Sequence, residues 1–459
     1  MIAAIGLDLG TTAIKAGLLS GAGELDAIVS RPAPAIVADG GRYESDALEY
    51  ATVAEAVLAE CLASTDARPP LGMCSQRSSF LLWERDSGQP VTPLISWQDD
   101  RGAASCAALR AAEHTVRALT GLPLTPYYLA PKLHGLLHAH PAWRENLVGG
   151  EWLLGTLDTF LIWRWSGGQH YQTDASMAAR TLLMDTQRGQ WSSELCALFD
   201  IPQQILPQIT PSAGIAVPLR NGLVLRASLG DQSAALRAAI AEGPAQALVN
   251  LGTGGFVVRY LPAGRGAPPG YLQTLVWQDA ARGMHYAAEG TLNSIAAALA
   301  AYPVASCRAD DLARDDIFCL AEPSGLGAPY FRGDLGLAFS APVENLSAPR
   351  MGVLLLEGIL FRVARILEDF RREFGLERVY LSGGLSNLTC LQQGIAQCVP
   401  CAIYLLPQQD ASLAGVARLA AGMAGGAAAA EKVGGPVKLP QLAAKYGRWK
   451  IWLDGLLRA

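Results

Sequence analysis

Two short glycine-threonine turns are the residues in this chain best suited to chemistry. Residues 5–18 read Ile-Gly-Leu-Asp-Leu-Gly-Thr-Thr-Ala-Ile-Lys-Ala-Gly-Leu, and residues 247–261 read Ala-Leu-Val-Asn-Leu-Gly-Thr-Gly-Gly-Phe-Val-Val-Arg-Tyr-Leu. Each is an apolar run, a polar-x-Gly-Thr turn and a second apolar run. Asp8, Gly10, Thr11 and Thr12 therefore face Asn250, Gly252, Thr253 and Gly254 about half a chain later. Glycine lets backbone N–H groups converge on an anion, and threonine hydroxyls add donors, which suits phosphate. Lys15 places a cation just beyond the first turn. Asp8, near the end of the first run, suits Mg2+, an ion that takes few carboxylates and keeps much of its water. One such turn is equally a plain surface hairpin; the second copy favours phosphate.

Two further segments carry candidate groups. Leu381-Ser382-Gly383-Gly384-Leu385-Ser386-Asn387 follows a short β run and precedes a helical pattern. Glycine there lets an adenine or ribose approach the backbone, with Asn387 as a polar contact, although a strand-to-helix turn wants glycine too. Ser228-Leu229-Gly230-Asp231-Gln232-Ser233 sets an acid at a helical start. Asp231 is either a helix cap or, in a phosphoryl-transfer enzyme, the base that accepts the proton of an attacking hydroxyl.

The elements that must position these residues alternate between helix and strand, as in α/β layers. Apolar spacing predicts helices over 47–63, 103–119 and 351–374, the last stopped by Gly375, with a strand at 378–382. Residues 262–270 read as a loop, and the Gly/Ala-rich 414–430 as a packed helix followed by a surface turn. The repeated turn makes a duplicated domain the economical organisation. A boundary around Ala241-Glu242-Gly243-Pro244 gives domains 1–240 and 241–459.

With 459 residues, 51% of them apolar and 17% charged, and 48 glycines spread along the chain, the composition is that of a folded globular protein. A net charge of -5 supplies no basic field for nucleic acid or an anionic membrane, which makes a small metabolite the natural partner. The opening residues lack a basic leader and carry Asp8 inside their apolar run, so they read as a strand and not a signal peptide. Nine scattered cysteines suggest reduced thiols and a cytoplasmic setting. The lone Cys398-Val399-Pro400-Cys401 reads as core or loop thiols, not a metal site.

Taken together, Asp8-Leu9-Gly10-Thr11-Thr12, Ser75-Gln76-Arg77, Ser96-Trp97-Gln98-Asp99-Asp100-Arg101, Pro131-Lys132-Leu133, Gly230-Asp231-Gln232, Asn250-Leu251-Gly252-Thr253-Gly254, Gly325-Leu326-Gly327-Ala328-Pro329-Tyr330, Leu356-Glu357-Gly358 and Ser382-Gly383-Gly384 resemble, in order, the FGGY family of carbohydrate kinases. The resemblance spans nearly the whole chain. It implies an α/β protein of two duplicated RNase H-like domains of the actin-like ATPase type, with ATP in the inter-domain cleft and a polyol or ketose held mainly by the first domain. It further implies Asp231 as catalytic base and Asp8 and Asp231 near Mg2+. The nucleotide would lie against Gly10, Thr11, Thr12, Lys15, Gly252, Thr253, Ala296, Gly383, Gly384 and Asn387. Arg77, Ser78, Trp97, Tyr127, Gln232 and Phe256, with Asp231, match acceptor positions, for which the glycerol kinase branch is the nearest template. Dimers and tetramers are usual in such a family, and a homodimer is the expected state.

The chain departs from that pattern in places. Ser78 stands where glycerol kinases carry an acid, and the Met-His pair of xylulokinases is missing from Gln76-Arg77-Ser78-Ser79. Gly135 replaces a common tryptophan, and Ala296 replaces a glycine that faces the nucleotide. The acceptor is thus expected to be a glycerol-like polyol or a pentulose such as xylulose. The alternatives are an actin-like sensor or filament module without a sugar substrate, and a degenerate family member that binds sugar but turns over poorly.

Overall fold

In the computed structural model the structure describes every residue except 244, 408–409, 427–429, 434–438 and 459. The tail of the 414–430 segment and Pro244 of the expected boundary lie outside the described residues. The chain forms two compact units. The first holds residues 1–238, 274–286 and 410–425; the second holds 239–273, 287–409 and 426–459. Two late segments thus join the first unit, so no single cut separates the two.

The first unit is built on a six-stranded sheet in which Leu25–Pro32, at one edge, is followed by Ala13–Ser20, Ile2–Leu9, Leu71–Ser75, Val224–Gly230 and, at the other edge, Ala213–Pro218. The hairpin is antiparallel and sets Asp8 opposite Lys15. Strands Ile2–Leu9, Leu71–Ser75 and Val224–Gly230 run parallel, with Leu9 beside Ser75 and Ser75 beside Gly230. Three chain segments therefore emerge at one carboxyl end, the edge at which open α/β sheets bind ligands.

Helix Ala47–Leu62 covers one face of this sheet. Asp46 caps it by accepting from the backbone N–H groups of Leu48 and Glu49, and Tyr50, Ala54, Val57 and Leu58 form its buried stripe. Helix Ala411–Ala420 lies against the same strands so closely that a side chain at Gly72 would collide with the Val416 carbonyl. The helix expected over 103–119 is instead broken into Ala103–Ala108, a 3-10 turn Arg110–Ala112, and Glu113–Thr120. Residues 103–112 are rich in alanine and short of apolar side chains large enough to hold one straight helix against a core.

The second unit repeats the arrangement. Residues 287–292, then strands Gly255–Tyr260, Gln246–Leu251, Arg378–Ser382 and Ala402–Leu405, lie side by side, with the last three parallel. Asn250 is beside Ser382, just as Leu9 is beside Ser75 in the first unit. Helix Ala348–Phe374 ends at Gly375 as expected, and the strand at 378–382 falls where the pattern placed it. Residues 262–270 form no helix or strand. All nine cysteines are free thiols.

Candidate active site

Asp8, Arg77 and Asp231 leave the carboxyl ends of the three parallel strands of the first unit. Asp231 is the first residue of helix Asp231–Ala239 and accepts a hydrogen bond from the Gln232 N–H at 2.7 Å. The positive end of the helix favours its ionised form. Its side chain is 24% exposed, and Arg77 Nε lies 3.7 Å from its Oδ1. At that distance the guanidinium pairs with the charge without occupying the oxygen by a close hydrogen bond. Gly230 makes the approach possible, since a Cβ there would sit 2.7 Å from Arg77 Cδ.

Burial raises the pKa of Asp231, against Arg77, the Gln232 N–H and Arg180, which lower it. Asp8 is pushed up to about 7, first by burial and then by the Asp231 charge, while the Cys74 thiol, donating to Oδ1 at 3.4 Å, and Lys15 pull the other way. Two carboxylates in each other's field, next to a partly open edge, are a hard-oxygen donor set whose repulsion a divalent cation would relieve. Among the described residues no three His, Cys, Asp or Glu side chains form a metal cage. Lys15 is engaged by Asp410, at 2.7 Å.

The Gly10 turn is tied to the acceptor candidates by a chain of hydrogen bonds. Tyr50 Oη donates to the Gly10 carbonyl and accepts from Gln76 Nε2 at 2.9 Å; Ser79 Oγ donates to Gln76 Oε1 and accepts from the Trp97 N–H. The Trp97 indole Nε1 then donates to Thr11 Oγ1 at 3.1 Å. Trp97 and Tyr127 face each other with ring centroids 5.4 Å apart, and the Arg180 guanidinium stacks over Tyr127 and Tyr128. Ser78 is buried, with φ of 67° and its hydroxyl donated to the Arg180 carbonyl. Gln232 and Thr12 are exposed.

Sequence reasoning gave no role to the residues that hold this edge in place. Gln76 sits in a quoted motif, but Tyr50, Ser79, Arg180 and Asp410 were passed over; the stripe of helix Ala47–Leu62 was the one available signal for Tyr50. The Asp174 network was also missed. Asp174 is buried, with its pKa pushed up to about 7 by that burial, and it accepts from Ser176 Oγ and Ser212 Oγ. Ser176 Oγ in turn accepts the Gly230 N–H at 2.9 Å, fixing the residue just before Asp231.

In the second unit the nucleotide candidates lie on three segments, and the Gly252–Thr253 turn touches or adjoins the other two. The Ala296 N–H donates to the Thr253 carbonyl at 3.1 Å, beside the Gly252–Thr253 turn. Gly383, at φ of 89°, packs on the Leu251 carbonyl so tightly that no side chain fits there. Gly384 and Asn387 are exposed on the short 3-10 turn Gly384–Asn387. Phe256 belongs to this unit and is 41% exposed.

Comparison with known proteins agrees with this geometry. Residues 3–230 match the N-terminal domain, and residues 247–424 the C-terminal domain, of the FGGY family of carbohydrate kinases. A glycerol kinase of Rhodopirellula baltica is 30% identical over 91% of this chain and 82% of its own length. An apulose kinase of Pectobacterium atrosepticum is 30% identical over 85% of this chain and 83% of its own. Among solved structures, the glycerol kinase of Plasmodium falciparum with ADP covers 99% of this chain and 98% of its own, at a TM-score of 0.84 and 20% identity. A xylulose kinase of Brucella ovis covers 99% of each chain, at a TM-score of 0.83 and 22% identity. Two domain matches in sequence order, with the repeated sheet beneath them, establish that the chain belongs to the FGGY family of carbohydrate kinases.

Proposed function

We propose that this carbohydrate kinase transfers the γ-phosphoryl group of Mg·ATP to a terminal hydroxyl of a small polyol or ketose, with glycerol-like polyols and pentuloses as the acceptor class. The observation that carries the reading is the set of Asp8, Arg77 and Asp231 on adjacent parallel strand ends, beside the Trp97–Tyr127 aromatic pair. Relatives named for glycerol and for apulose support a short acceptor.

In this reading a carboxylate oxygen of Asp231 accepts the proton of the attacking hydroxyl while the hydroxyl's own oxygen bonds to the γ-phosphorus and the bond from that phosphorus to ADP breaks. Arg77 fixes the acceptor through directed hydrogen bonds and favours the ionised form of Asp231 against the effect of burial. Trp97 and Tyr127 cover the carbon chain and exclude water. The amides after Gly10 and the Thr11 and Thr12 hydroxyls receive phosphate oxygens, while the Gly252–Thr253 turn, Ala296 and Gly383–Asn387 serve the nucleotide. Asp8 and Asp231 would hold Mg2+, which supplies charge neutralisation on the transferring group. Ser78, with its hydroxyl committed to Arg180, contributes no charge to the acceptor, and this favours neutral substrates.

The test is acceptor-dependent ADP release over glycerol, erythritol, ribitol, xylulose, ribulose and apulose, with Asp231→Asn as control. At least one acceptor should stimulate turnover. Asp231→Asn should fold with an unchanged melting temperature and lose about 10²- to 10⁴-fold in kcat. ATP hydrolysis indifferent to every acceptor, or near-normal turnover by the variant, would overturn the proposal.

A further inference from the structure

The first unit contains a lysine that belongs to neither the phosphate turn nor the surface. Lys132, on helix Leu129–Ala139, is fully buried, and among the described residues no carboxylate forms an ion pair with its ammonium. Its three donors go to three backbone carbonyls: Ser96 at 2.7 Å, Trp97 at 3.2 Å and Tyr127 at 3.1 Å. An ammonium has three N–H groups and no acceptor, so this set is complete.

The three carbonyls lie on two separate segments, and each segment carries one of the two aromatic rings assigned to the acceptor. The shared ammonium ties the Trp97 and Tyr127 segments together, in addition to the contact between their rings. Trp97 also donates to Thr11 from its indole Nε1, a hydrogen bond separate from the carbonyl that the ammonium holds.

We propose that Lys132 is a positioning residue for acceptor binding, joining the Trp97 and Tyr127 segments into one rigid aromatic wall. The inference rests on the acceptor reading given above. A buried cation ringed by carbonyls costs desolvation free energy, which a purely structural position would avoid with an apolar side chain.

The charge state gives the clamp a signature. Burial lowers the Lys132 pKa to about 7, with Asp99 raising it and Arg101 lowering it further. These are the charged groups that face it from the 96–101 segment, where Arg101 pairs with both Asp99 and Glu44. From its own side it meets the Tyr127 carbonyl, and the Tyr127 and Tyr128 rings lie under the Arg180 guanidinium. Deprotonation leaves two donors for three carbonyls, so the wall loosens as pH rises through about 7. The stability term runs in the opposite direction. Between about pH 7 and the ordinary lysine range the unfolded chain still binds the proton that the folded chain has released, so this group adds stability as pH rises. A structural lysine would move stability alone; a clamp raises the acceptor KM while stability is maintained.

The experiment measures KM for glycerol and for D-xylulose, and KM for ATP, between pH 6 and 9 in the wild type, Lys132→Met and Arg77→Met. The wild-type KM for the acceptor that turns over should rise severalfold above pH 7 while KM for ATP stays flat. Lys132→Met should show an acceptor KM about tenfold higher at pH 6.5, with little further dependence on pH. A flat wild-type acceptor KM, or a variant whose ATP and acceptor KM values rise together, overturns the inference. If Lys132→Met does not fold, the wild-type profile decides alone. Arg77→Met separates the two proposals: an unchanged acceptor KM there sinks the pocket assignment itself, whereas a raised one together with a flat wild-type acceptor KM sinks only the clamp.

Discussion

Asp8 is the residue whose environment makes the sharpest kinetic statement. With a folded pKa of about 7, raised by burial and then by Asp231, it is substantially protonated just below neutrality. Asp231 is raised as well. A protonated Asp8 loses its attraction for a divalent cation, and a protonated Asp231 cannot accept a proton. Turnover should therefore fall on the acid side of about pH 7. Because Mg2+ and the proton compete for the same oxygens, raising Mg2+ tenfold should move that acid limb to lower pH. The limb is read from kcat/KM against pH at two Mg2+ concentrations; a limb that stays in place would separate Asp8 from the metal. Linkage gives the same carboxyl a cost: as pH rises from the ordinary Asp value of 3.8 towards about 7, the folded chain retains a proton that the unfolded chain has lost, so this group's contribution to stability declines. Asp8 and Asp231 were legible as chemistry because an acid beside a glycine turn is unusual. The buried Asp174, which steadies Gly230 through Ser176, sits in an unremarkable Thr-Asp-Ala-Ser run and offered no such signal.

At the scale of elements, the parallel strand ends bring Arg77 and Asp231 together, and Gly230 is the point where the two segments touch. A Gly230→Ala methyl would lie 2.7 Å from Arg77 Cδ and 2.8 Å from Cγ, in the middle of the side chain and not at its flexible tip. The variant should fold, push Arg77 aside and lose about 10- to 100-fold in kcat/KM for the acceptor, with KM for ATP little changed. An unaltered acceptor kcat/KM would show that the placement of Arg77 is immaterial. Tyr50→Phe tests the hydrogen-bond chain from the opposite end. It keeps the ring buried but removes the link between Gln76 and the Gly10 carbonyl, at about 1 kcal/mol. Helix Ala47–Leu62 was readable to within a residue because its cap and stripe are local. The break within 103–119 was not readable, because it depends on what those alanines pack against.

Across the whole molecule, the duplication was visible in two turns half a chain apart, and both sheets repeat an antiparallel hairpin whose first strand begins a run of three parallel strands. The assignment of residues 410–425 to the first unit was hidden, since it depends on glycines at 6, 72 and 415 that admit helix Ala411–Ala420 at close range. Non-local fit of this kind leaves no period in a sequence. The C-terminal helix Pro440–Arg458 is another such case. Its Trp449 is completely buried and donates to the Cys319 carbonyl at 2.9 Å, and its Lys445 pairs with Glu357 in the same interior. Trp449 shares one hydrophobic core with Val249, Leu251, Val379 and Leu381, buried residues of the strands that lead into the Gly252 and Gly383 turns. Trp449→Ala should therefore destabilise by about 3–5 kcal/mol. Trp449→Phe keeps most of the packing and should lose about 1 kcal/mol with the hydrogen bond. Urea unfolding followed by circular dichroism separates the two. If packing is the controlling term, the Ala variant unfolds at clearly lower urea, the Phe variant stays near wild type, and both retain the wild-type acceptor KM below their transitions. Equal destabilisation of the two would instead make the buried Cys319 carbonyl, and not the volume of the indole, the decisive contribution to that core.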